Sequence, residues 1–123
     1  MEGLNGIFQK LRSLLADYVP PLKTKSDTVR SYELQSVKDL VILGRKMKGV
    51  YFASAIIQKA YVGFYYMPVY ADPRVKADMD PRLLKLLKGK SCFHIEHLDN
   101  ELMEIIKNTL ASGFKEYQRR GWV

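Results

Sequence analysis

With 123 residues, 47% hydrophobic and 27% charged, the chain holds one domain: enough apolar material for a core, too little length for two. A mean hydropathy of −0.19, no apolar run near the roughly 20 residues of a membrane span and no basic-then-apolar stretch at the start give no sign of a spanning or exported class and make the cytoplasm the expected location. The single Cys92 excludes an internal disulfide framework, and the formal charge of +7 suits either solvated basic surfaces that keep the chain soluble or an anionic partner.

From the amino terminus, Leu4, Ile7, Phe8, Leu11, Leu14, Leu15 and Tyr18 recur at three- and four-residue intervals. They predict an amphipathic helix, which Pro20-Pro21 ends for want of an amide donor. Lys23 to Asp27 reads as loop, while Tyr32 and Leu34, alternating with Glu33 and Gln35, predict a short strand. Leu40 to Leu43, closed by Gly44, predicts another strand that enters a basic bend from Arg45 to Gly49.

The stretch from Val50 to Tyr70 is the most strand-like in the chain, rich in β-branched and aromatic residues with a polar break at Gln58-Lys59-Ala60. It predicts a hairpin. Strict pleating would put Tyr51, Ala53, Ala55 and Ile57 on one face of the first strand and Phe52, Ser54, Ile56 and Gln58 on the other. On the second strand Tyr61, Gly63, Tyr65 and Met67 alternate with Val62, Phe64 and Tyr66. Neither face is polar, so one is expected against helices and the other under a second layer, a partner or a ligand.

Beyond the hairpin, Met67-Pro68 and Asp72-Pro73 predict a loop. Asp80-Pro81 then starts a short helix, anchored by Leu83, Leu84, Leu86 and Leu87 and stopped by Gly89. Ser91 to Glu96 reads as strand, with Cys92 and His94 on one face and Phe93 and Ile95 on the other. Asp99 caps a last helix whose buried stripe is Leu102, Ile105, Ile106, Leu110, Phe114 and Tyr117; Gly121 ends it, and Trp122 is expected to pack as a tail. The elements add up to a single α+β domain over residues 1–123. Its antiparallel sheet of four to five strands is packed in two layers against an N-terminal and a C-terminal helix.

Two basic clusters stand out, Arg45, Lys46 and Lys48 before the hairpin and Arg82, Lys85, Lys88 and Lys90 after it; the helix dipole accounts for part of the second. The first function class is therefore a binding module for a small molecule or anion. Tyr51, Tyr61, Tyr65 and Met67 would line its site, with Arg45, Lys46 or Lys48 orienting an anionic group. The second is nucleic-acid binding, with bases stacked on the same aromatics and lysines on phosphates. The third is metal handling. Cys92-x-His94-x-x-His97, followed by Asp99, offers three ligands suited to zinc or iron, against the plainer alternative of a packed cysteine beside hydrogen-bonded histidines. No GxSxG, P-loop, GxGxxG or HExxH is present, so a non-enzyme is expected and no cofactor is implied. A monomer and a homodimer both suit a sheet with aromatic side chains on two faces.

The run GVYFASAIIQKAYVGFYYMPVYADP, the segment KLLKGKSCFHIE and the closing tyrosine-bearing helix resemble the YdhG-like domain family, from about Tyr32 to Val123. That resemblance implies an α+β fold with an antiparallel sheet packed on helices, and it implies no reaction. Some members are described as frataxin-like iron chaperones, a role that implies an acidic ridge holding a hard cation through carboxylates. Here the first helix offers only Glu2 and Asp17.

Overall fold

The computed structural model describes residues 3–42 and 44–123, with the backbone alone at 39, 40, 42 and 47; Glu2 and Leu43 lie outside the described residues. Helix α1 (Leu4–Ala16) forms on the predicted stripe, with Ile7, Phe8, Leu11, Leu14 and Leu15 buried. Strands β1 (Lys23–Asp27), β2 (Ser31–Gln35), β3 (Asp39–Ile42), β4 (Arg45–Lys48), β5 (Tyr51–Ile57) and β6 (Val62–Tyr66) follow. Then come α2 (Met67–Ala71), α3 (Pro73–Ala77), α4 (Pro81–Leu84), β7 (Leu87–Lys88), β8 (Cys92–Ile95) and α5 (Asn100–Arg119). Among the described residues six strands form one antiparallel sheet in the order β1-β2-β5-β6-β8-β7, and β3 and β4 form a separate ribbon. The fold is thus α+β, with a wider sheet than the expected four to five strands.

Four segments differ from the expected secondary structure. Lys23 to Asp27 is an edge strand, not a loop; its neighbour β2 supplies the ladder, and its own side chains alternate between exposed and half-buried without any apolar signal. Arg45 to Lys48 is a strand paired with β3, not a bend. Residues 67–77 form two short helices, each with proline in its first turn, the second capped by Asp72, which accepts from the Arg74 amide at 2.9 Å. Met67 therefore leaves the sheet. Helix α4, capped by Asp80, stops at Leu84 because Leu87 and Lys88 pair with β8, and Gly89 (φ +80°) turns the chain between those strands.

One layer of helices covers one face of the sheet, and the core lies between them. Val62, Phe64 and Tyr66 of β6 and Phe93 and Ile95 of β8 are buried on this inner face with Tyr32, Leu34, Ala53 and Ala55. The register shifts between Leu34, opposite Ala53, and Gln35, opposite Tyr51, so Phe52 is the extra residue of a β-bulge. The bulge corrects the expected pleat: Phe52 turns inward beside Ala53, and Tyr51 turns outward with Ser54. Inside, Phe52 meets the rings of Tyr18, Tyr66, Phe114 and Tyr117 with centroids 5.1–6.2 Å apart. The Tyr51 carbonyl accepts from the buried Tyr117 hydroxyl, which ties α5 to the bulge.

Helix α5 is capped by Asp99, which accepts from the Leu102 amide at 2.8 Å, and it runs about 30 Å along the sheet. Gly113 lets it approach closely, since a Cβ there would collide with the Tyr66 hydroxyl and lie 2.8 Å from Pro68. Trp122 packs edge-on against Tyr117, as expected of a packed tail. No described helix is long and apolar enough to cross a membrane.

Candidate functional site

No described helix covers the outer face of the sheet, whose residues fall into register across the strands. Ser26 pairs with Glu33, Glu33 with Ser54, Ser54 with Tyr65, and Tyr65 with Cys92, which also pairs with Lys88. That row spans six strands, about 24 Å at the usual strand spacing. A second row joins Ser31, Ile56, Gly63 and His94.

Small residues in these rows let the tyrosines lie down. Tyr51 lies over fully buried Ser54, with their hydroxyls hydrogen-bonded. Tyr65 lies over Gly63, where a Cβ would stand 2.7 Å from its ring, and its hydroxyl accepts from Gln58 Nε2 at 2.9 Å. Tyr61 stacks on His94, the rings 3.7 Å apart and 11° from parallel. The result is a pavement of rings with hydroxyl groups set among them. Burial raises the pKa of the Tyr65 phenol, and the adjacent thiol raises it further. Burial likewise raises the Cys92 thiol, with the Tyr65 hydroxyl pulling the other way. A thiol held above its ordinary pKa stays protonated at neutral pH and lacks the activation a nucleophile needs.

The structure brings together only part of the candidate site. Tyr51, Tyr61 and Tyr65 share the outer face, but Tyr51 reaches it only through the bulge. Met67 is half-buried in α2, and Arg45, Lys46 and Lys48 are exposed on the β3–β4 ribbon. The metal constellation does not assemble: Cys92 lies beside Tyr65, His94 lies under Tyr61 and His97 is exposed past the end of β8. Among the described residues no three His, Cys, Asp or Glu side chains form a group able to hold a metal ion.

A cleft of about 440 Å³, which the sequence reading missed, opens between α5 and the α2–α3 segment, lined by Tyr66, Asp72, Arg74, Ile105, Asn108 and Glu116 among others. Two of its acids, Asp72 and Glu116, are held in ion pairs. Buried Asp72 takes Arg74 at 2.9 Å and Arg120 at 3.0 Å, and Glu116 takes Arg119 and Arg120. The hydrogen bond from Arg74 is the main cause holding the Asp72 carboxyl well below the usual carboxylate range. In sequence the acid-proline pair Asp72-Pro73 reads as a loop, and nothing local predicts that Arg120, 48 residues on, completes the network.

The fold and this face define a class: a small α+β domain with helices on one side of an antiparallel sheet and a tyrosine-paved surface on the other. No family model, no curated protein and no solved structure matches the chain.

Proposed function

We propose that this is a binding module rather than an enzyme, and that its ligand is a small molecule with a planar group that lies on the outer face over Tyr51, Tyr65 and the Tyr61–His94 pair. The observation that carries this is the laid-down geometry of Tyr65 over Gly63, which offers a flat π surface with a hydroxyl at its edge. The protonated thiol of Cys92 supports a binding role over a nucleophilic one. The cleft is the weaker seat, because Asp72 and Glu116 on its lining already hold arginines.

The test is a thermal-shift screen of planar heteroaromatic fragments, with hits mapped by amide chemical shifts. Hits are expected to perturb the amides of Tyr51, Tyr65 and His94, and to lose their shift in Tyr65→Ala while keeping part of it in Tyr65→Phe. Hits that instead perturb Asn108 and Ser112 at the cleft, or that stabilise Tyr65→Ala as much as the parent, overturn the assignment. So does a dimer in sedimentation that occludes the Tyr65 ring.

A further inference from the structure

The β3–β4 ribbon is a second, separate feature. Its register sets Val41 opposite Lys46, Ile42 opposite Arg45 and Asp39 opposite Lys48. Every side chain described on it is exposed, Val41 to 68%. Lys46 and Lys48, two residues apart, project from one side at about 7 Å spacing, and Arg45 projects from the other. Lys38 stands at the foot, donating to the Val123 carbonyl at 3.2 Å. The ribbon joins the sheet through Gly49, whose φ of +106° and contact with the Ser36 carbonyl leave no room for a side chain.

The fold finds partners for its other arginines. Arg12, Arg74, Arg82, Arg119 and Arg120 each pair with a carboxylate, and Arg30 donates to the Ile57 carbonyl. Arg45 alone among the seven has no partner among the described residues, and no described carboxylate pairs with Lys46 or Lys48. No described contact offsets the repulsion between Lys46 and Lys48 on their shared side. A small anion would gain little from them. The ribbon is exposed rather than concave, and a single contact between charges in water is worth only about 1 kcal/mol. A polyanion lying along the ribbon gains differently, through release of its condensed counterions at every phosphate neutralised. A two-stranded ribbon also has the cross-section that a duplex major groove admits.

We propose that the β3–β4 ribbon binds nucleic acid through its phosphates, with Arg45, Lys46 and Lys48 as the contacting residues and without base recognition. The experiment is fluorescence anisotropy with labelled duplex DNA and labelled single-stranded RNA across a salt series. The protein is compared with the triple variant R45Q/K46Q/K48Q and with Tyr65→Ala, which separates the ribbon from the tyrosine face. Three phosphate contacts predict a log–log salt slope of about −2.7 on the duplex, an affinity loss of about 40-fold for a fourfold rise in salt. The triple variant is expected to lose that binding while its melting temperature stays unchanged, and Tyr65→Ala is expected to bind as the parent does. No binding to either nucleic acid at low salt overturns the proposal, as does binding that survives in the triple variant. Equal binding to polyglutamate, or tighter binding to phosphatidylserine vesicles, overturns it in favour of another anionic surface.

Discussion

Tyr66 and Gly113 show how one contact can decide the sign of a substitution. The Tyr66 hydroxyl donates to the Thr109 carbonyl, its ring is fully buried, and burial pushes its phenol pKa up. Glycine inside a helix ordinarily costs about 1 kcal/mol relative to alanine, so Gly113→Ala should stabilise α5 taken alone. Here the added methyl meets a ring that cannot swing away, and overpacking of that kind costs about 1–3 kcal/mol. Gly113→Ala is therefore expected to lower the urea midpoint, with a net loss of up to about 2 kcal/mol. A raised midpoint would show that Tyr66 can leave its site.

At the scale of elements, the bulge in β5 decides which rings become core and which become surface. Phe52 touches four other rings, so Phe52→Ala is expected to cost about 3–5 kcal/mol in denaturant unfolding. Tyr51→Ala should cost clearly less. The reverse order would mean that the two residues had exchanged faces. Long amphipathic periods were legible in the sequence: α1, α5 with its Asp99 cap, and the inward Phe93 and Ile95 of β8 all stand where the pattern puts them. The bulge was not legible, because strict period-2 alternation is the only cue a strand offers and Phe52 and Tyr51 are both aromatic. Edge strand β1 escaped for the opposite reason. Lys23, Thr24, Lys25 and Ser26 carry no apolar alternation, and only the ladder to β2 makes them a strand. Of the candidate site, the three tyrosines were legible as aromatic, but their lying flat over Ser54 and Gly63 depends on cross-strand neighbours. Lys23 and Lys25 on the exposed edge also blunt it against pairing with another chain.

For the whole molecule, the ionisable groups tied into the fold set a window of stability. Asp72, Asp99 and Glu116 are held below their ordinary values of 3.8, 3.8 and 4.5, chiefly by hydrogen bonds from Arg74, Arg82 and Arg119 respectively. A depressed carboxylate stabilises the folded state fully above its unfolded pKa and loses that contribution as pH falls through the folded one. Tyr51, Tyr66 and Tyr117 are pushed above 10.0 chiefly by burial. Their contribution is complete below that value and is lost as pH rises past it, since only the unfolded chain ionises there. The melting temperature is expected to be level between about pH 5 and 9 and to fall on both sides. Asp72→Asn should give a shallower acid limb and Tyr66→Phe a shallower alkaline one; limbs unchanged in both variants would refute these assignments. The bulge has a consequence at this scale too. Phe52 is the surplus residue within β5, and one surplus residue advances the strand by half its repeat. Strict alternation back from Ala53 would send the Phe52 ring to the outer face and draw Tyr51 into the core. The bulge therefore acts as the phase setting that decides which of two adjacent rings each side of the sheet receives.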